Sequence, residues 1–229
     1  MKLHIKKSPR SRLALVMVAG SLAVSSVIAV TWMNRAAAST VPIGMEDTSG
    51  WIQTSWGADR EISRCPADQV MVGVKLTPAE GLRKSKNFVK CAQPALGDDD
   101  RVYVYPGGTP VASGWLDQVP DIPETFRCDQ APMIASLHLG DYQTKGESQY
   151  RCAPLVVESA PVGEQLVAKV ADQRWSGWIS AFQWEEDHTA QLDFEYTCPT
   201  GSAITAREHQ KSPHGVVRFQ CTTWKAESR

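Results

Sequence analysis

No catalytic signature is written in this chain: it has no Gly-x-Ser-x-Gly, no His-Glu-x-x-His and no glycine-rich phosphate loop. Those absences set aside a nucleophile-elbow hydrolase, a helix-borne zinc peptidase and a nucleotide-cradling loop. Only a dispersed set of partners, which need not be close in sequence, is left to an enzyme. None of the six cysteines forms a Cys-x-x-Cys pair, and His209 and His214 have no third ligand near them, so zinc is set aside as well. After residue 40 no segment carries helical periodicity with caps, which excludes a helical fold. A surplus of Lys and Arg is also missing. Residues 1–38 hold six of the 24 basic residues and none of the 25 acidic ones, so the rest has 18 against 25 and a net charge of −7 instead of −1. That balance argues against nucleic acid as a partner.

The segment set aside in this count reads as a targeting signal. Lys2, Lys6, Lys7, Arg10 and Arg12 make a basic start, Leu13 to Met33 carries no charge, and Ala36-Ala37-Ala38 offers small residues for cleavage. The reading is a signal peptide cleaved near Ala38. The uncharged stretch also approaches the roughly 20 residues that span a bilayer, so an uncleaved N-terminal anchor is the alternative and the only membrane contact foreseen. In both cases residues 39–229 are secreted or extracytoplasmic.

Within them Ser-Gly-Trp occurs three times, at Ser49-Gly50-Trp51, Ser113-Gly114-Trp115 and Ser176-Gly177-Trp178, spaced 64 and 63 residues apart. Each copy is followed by two cysteines: Cys65 and Cys91, Cys128 and Cys152, Cys198 and Cys221. A fixed period carrying the same aromatic and the same cysteine pair predicts three tandem units, 49–112, 113–175 and 176–229, in one domain. An even cysteine count in an exported chain predicts disulfides. Six cysteines allow 15 pairings; duplication of one ancestral unit selects the pairing internal to each.

The alternation of Leu192, Phe194 and Tyr196 against Asp193, Glu195 and Thr197 has the period of a half-buried strand. Shorter versions run into Cys65 and Cys128. Val70–Val74 and Met133–Leu137 follow those cysteines, and further runs end at Cys91, Cys152 and Cys221, with polar turn residues between them, which predicts hairpins. Val102–Tyr105 and Leu166–Val170 add one strand each to the first two units, and residues 39–48 read as a linker or edge strand that closes the structure. The predicted fold is all-β, three disulfide-stapled repeats in a closed pseudo-threefold arrangement of the trefoil or prism kind; a linear β-solenoid is the alternative.

Gln183-Trp184-Glu185-Glu186-Asp187, followed by Phe194-Glu195-Tyr196-Thr197-Cys198-Pro199-Thr200-Gly201-Ser202-Ala203-Ile204, resembles the dermatopontin family. Repeats of that family carry Gln-Trp and then aromatic-x-aromatic-x-Cys-Pro-x-Gly-x-x-Ile. The first unit retains Trp56-Gly57-Ala58-Asp59 and Cys65-Pro66, the second Phe126-Arg127-Cys128. The resemblance implies an extracellular binding or adhesion role without catalysis. The family's Glu-Asp-Arg before the second cysteine is missing here, with Arg218 alone standing for the arginine, so its ligand preferences do not carry over.

Three groups of residues are candidates for function. Trp51, Trp115 and Trp178, recurring with the cysteines, read as plugs of the common core, which leaves Trp56, Trp175 and Trp184 for surface contact with sugar rings. Between the paired cysteines lie 10 of the 18 basic residues but 6 of the 25 acidic ones. Arg83, Lys84, Lys86 and Lys90 form one locally basic hairpin, and Arg207, His209, Lys211, His214 and Arg218 a second, suited to sulfate, carboxylate or phosphate groups. Asp98-Asp99-Asp100, like Glu185-Glu186-Asp187, has the oxygen density calcium prefers but not the spaced ligands of a known calcium loop. The function expected is an exported binding or adhesion module for a glycan or another anionic extracellular polymer, with no cofactor. The alternatives are a secreted hydrolase with a dispersed site and an inhibitor or interaction subunit of another exported protein.

Overall fold

Period-two alternation becomes strand nearly wherever it occurs. The computed structural model describes residues 40–53, 55–56, 61–77, 86–97, 102–117, 123–139, 147–159, 166–185, 188–191, 193–210 and 215–228. The expected targeting segment lies outside them. No helix occurs among the described residues. In chain order the strands are β1 (Val41–Glu46), β2 (Trp51–Ile52), β3 (Ser55–Trp56), β4 (Glu61–Arg64), β5 (Val70–Thr77), β6 (Lys86–Ala95) and β7 (Val102–Pro106). Then come β8 (Val111–Ala112), β9 (Leu116–Asp117), β10 (Glu124–Arg127), β11 (Met133–Leu139), β12 (Glu147–Cys152) and β13 (Leu155–Ser159). The last are β14 (Leu166–Trp175), β15 (Ile179–Ser180), β16 (Phe182–Glu185), β17 (His188–Gln191), β18 (Phe194–Thr197), β19 (Ala203–Gln210) and β20 (Val216–Ser228).

The expected hairpins are present as β5·β6, β11·β12 and β19·β20, all antiparallel. The three disulfides are Cys65–Cys91, Cys128–Cys152 and Cys198–Cys221, with Cα separations of 5.6, 5.8 and 5.7 Å. This is the pairing that duplication selects, and it suits an extracellular or otherwise oxidising environment. Each closed loop contributes roughly 3 kcal/mol by the chain-entropy estimate.

The short strand before each first cysteine pairs away from its own hairpin. β4 lies on β11, β10 on β19, and β18 on β5. In each receiving hairpin the register slips by one residue, between Met71 and Gly73, Met133 and Ala135, and Ile204 and Ala206. The residues passed over are Val72, Ile134 and Thr205. A bulge leaves such a residue's carbonyl without its ladder partner, and a buried carbonyl needs one. Cysteine backbone amides supply it: Cys198 N–H donates to Val72 O at 2.8 Å, Cys65 to Ile134 O at 3.0 Å and Cys128 to Thr205 O at 2.8 Å. Close strand contact also fixes Gly73, where an added Cβ would stand 2.9 Å from the Tyr196 carbonyl oxygen.

The core has two parts. One gathers all six cysteines with Met71, Met133, Ile204, Val89, Tyr150 and Phe219. Successive residues of a strand face opposite sides, so Val72 and Ile134 enter the other part, with Ile43, Met45 and Trp224. Trp224 is 2 % exposed and its indole N–H donates to Gln130 O at 2.9 Å. β1 delivers Ile43 and Met45 there because its first half pairs with β20 and its second with β6. Of the two readings of residues 39–48, linker or strand, the strand is the one present.

Candidate functional site

Ser-Gly-Trp does its structural work through the serine. Ser49 N–H donates to Cys91 O at 2.7 Å and Ser49 Oγ accepts from Cys91 N–H at 3.0 Å. Ser113 makes the same exchange with Tyr150 and Ser176 with Phe219. Each hydroxyl in turn donates to the carbonyl of the following glycine, at 2.7–2.8 Å. The serine oxygen thus stands in for its own main-chain carbonyl, and the chain is free to leave the ladder. Three residues on, the adjacent strand has advanced only two: Ile52 faces Val89, Leu116 faces Ser148 and Ile179 faces Val217, with Trp51 already back in the ladder opposite Lys90.

One extra residue in a period-two pattern sends the next side chains to the opposite face. The tryptophans therefore point outward, and the expectation of core plugs is corrected. Trp115 and Trp178 are each 40 % exposed, and Trp51 is half-buried. Among the tryptophans whose burial is described, the buried indole belongs to Trp224, which does not recur and whose role no sequence pattern announced.

Arg218, one step from Val217 on β20, meets Trp178. Its guanidinium carbon is 4.4 Å from the Trp178 ring centroid and 4.7 Å from that of Trp175, at the end of β14. Glu208 on β19, directly across the hairpin from Arg218, fixes the fork: Arg218 Nε and Nη2 donate to Glu208 Oε2 at 2.9 and 2.6 Å. The guanidinium carbon of Arg127, a residue exposed at the end of β10, lies 5.5 Å from the Trp175 ring centroid. The result is a surface of two indoles and two guanidiniums. Arg218 is committed to holding the rings, and Arg127 presents charge to solvent. Cation–aromatic contacts of this kind contribute roughly 0.5–2 kcal/mol each.

A second assembly stands at Trp51, with Lys75 Nζ 5.8 Å and Lys90 Nζ 5.9 Å from its ring centroid. Lys75 is also paired with Glu195 at 3.1 Å. At Trp115 the corresponding strand residue is Gln149, whose amide donates to Ser113 O at 3.0 Å. Comparison with family models, with curated proteins and with solved structures gives no match.

The sequence-predicted residues divide accordingly. Lys90 and Arg218 stand in these assemblies, and Lys86 is half-buried on β6. Arg207 and His209 do not sit on a hairpin tip. They lie inside β19, 5 % and 0 % exposed, with Arg207 Nη2 3.3 Å from His209 Nδ1 and the guanidinium 5.7 Å from the Tyr150 ring. Their placement as surface ligands is corrected: β19 is covered by a neighbouring strand on each side and packed on both faces. Arg83, Lys84, Lys211, His214 and Asp98-Asp99-Asp100 lie outside the described residues. Trp56 pairs with Glu61 and Trp184 with Thr189 along the backbone.

Among the described residues no group of three His, Cys, Asp or Glu side chains is placed to hold a metal ion. A pocket of about 240 Å³, lined by Cys128, Gln130, Ala131, Pro154, Leu155, Ala168 and Trp224, carries no titratable group. Missed by sequence reasoning were Arg127, Lys75 and Glu208. Trp51, Trp175, Trp178, Lys90 and Arg218 around them are among the sequence candidates, and Arg127 escapes because it reaches Trp175 only through strands distant in sequence.

Proposed function

We propose that this chain is an exported binding module, without catalytic activity, that recognises an anionic polysaccharide or comparable extracellular polymer. The observation that carries the reading is the Trp178–Arg218–Trp175–Arg127 array. Indole faces suit the apolar faces of sugar rings. An exposed guanidinium alongside suits a carboxylate or sulfate through charge-assisted hydrogen bonds. Because Arg218 is tied to Glu208, the rings are held before any ligand arrives, which lowers the ordering cost of binding. On a chain of net negative charge such a cationic patch also selects where a polyanion lands.

The finer architecture belongs to the same proposal. The pairings β4·β11, β10·β19 and β18·β5 run from the first Ser-Gly-Trp unit to the second, the second to the third and the third to the first. The three bulges and the three cysteine amides follow that order. This supports a closed pseudo-threefold body of three repeats, of the kind that the dermatopontin-like layout implies. A repeated binding surface on a rigid body is suited to a polymer ligand.

The test is retention on immobilised acidic and neutral polysaccharides over a salt series. Acidic polymers are expected to retain the protein and to release it as salt rises. Arg127→Ala and Trp178→Ala should each weaken binding by about tenfold, the equivalent of about 1.4 kcal/mol. Equal retention on neutral polymers, or binding indifferent to both substitutions, would sink the reading.

A further inference from the structure

We infer that the ligand surface holds two subsites of one design, centred on Trp51 and Trp178, and a third of the same backbone at Trp115 that lacks only its cation. This rests on the polyanion reading above. The same serine exchange precedes all three tryptophans, and the same one-residue excess separates that serine from the residue after each Trp. Each indole is thereby delivered beside a corresponding residue of the adjacent strand. That residue is Lys90 for Trp51, which pairs with it directly, Arg218 for Trp178 and Gln149 for Trp115.

The serine exchange recurs, while the chemistry and the exposure of the ring differ from one place to the next. At Trp51 two ammonium groups stand over the ring, 5.8 and 5.9 Å from its centroid. Lys75 is held by Glu195, so Lys90 supplies the compact, rotatable charge that would meet a carboxylate or sulfate. At Trp178 the cation is a planar fork held at 4.4 Å and tied to an acid, so the contribution there is mainly a fixed stacking face. At Trp115 the indole is as exposed as Trp178, at 40 %. The amide of Gln149 is spent on Ser113 O and brings no charge. Each subsite takes its own short stretch of the polymer, so one chain of the protein binds two short ligands.

Calorimetric titration of the full chain tests this, with tetrasaccharides of a uronic acid polymer in one arm and of a sulfated polymer in the other. Two ligands per chain are expected. One should remain in Trp51→Ala or in Trp178→Ala, and none in the double variant. Lys90→Gln, which removes a charge without disturbing packing, should weaken one of the two sites by about tenfold, and Gln149→Lys should add a third. The arm that binds identifies carboxylate or sulfate as the favoured group. A single site that Trp51→Ala and Lys90→Gln leave untouched would overturn the two-subsite arrangement while sparing the proposed function. A count still at two in Gln149→Lys would overturn the equivalence of the Trp115 place. No binding of either tetrasaccharide or of the parent polymers would remove the function itself.

Discussion

Ser113 is 6 % exposed, and its hydroxyl is the acceptor for the Tyr150 amide. Ser113→Ala would leave that N–H buried without an acceptor, a penalty of about 1–3 kcal/mol. It should lower the urea midpoint of unfolding, and an unchanged midpoint would mean that the serine exchange is not a stabilising feature. The same residues show where sequence reading succeeds and where it fails. The recurrence of Ser-Gly-Trp was legible, but its meaning was not. A bulge adds one residue, and one residue reverses which face a tryptophan takes, so a pattern that reads as core becomes surface. Arg207 and His209 failed in the opposite direction. β19 reads Ala-Ile-Thr-Ala-Arg-Glu-His-Gln, with no apolar alternation, yet it is buried on both faces and its Thr205 hydroxyl pairs with that of Thr222 at 2.7 Å. A polar interior strand is invisible to a hydrophobic pattern.

At the scale of elements, the three hairpins and their cysteines were readable because adjacent strands and their turn residues are local. The strand-on-hairpin pairings β4·β11, β10·β19 and β18·β5 were not, since the partners come from distant parts of the chain. Thus Arg127, on β10, could not be placed beside Trp175, which it reaches only through β19 and β20. The long contact of β14 with β20 ends in a charged cluster. Glu227 takes Lys169 from β14 at 2.8 Å and Lys225 from its own strand at 2.6 Å. Hydrogen bonds from these ammonium groups, Lys169 foremost, hold its carboxyl down from the ordinary 4.5 to about 2. A carboxyl lowered in the folded state stabilises it fully above the ordinary value and loses that contribution as pH falls from 4.5 towards 2. Glu227→Gln should therefore flatten the acid limb of stability against pH in that window, read as urea midpoints at successive pH values. A limb unchanged by the substitution would show that other carboxyls govern it.

At the scale of the whole molecule, β1 bridges β20 and β6, pairing Val41–Ile43 with β20 and Gly44–Glu46 with β6. Removal of residues 41–46 would uncover an edge on each of those strands together with the apolar surface that Ile43 and Met45 cover. Unpaired, apolar edges recruit other chains, so the truncated protein should form dimers or larger species by size-exclusion chromatography. A stable monomer would mean that β1 is dispensable. The pairing of Val41 with Ala226 also sets a clock: the first strand is made 185 residues before its partner. At synthesis rates of roughly 5–20 residues per second it waits roughly 10 to 40 seconds. Throughout that interval Gly44–Glu46 have β6 to pair with, but Val41–Ile43 have no strand beside them and Ile43 lacks Trp224, so an apolar strand end stays open to other chains until β20 is made.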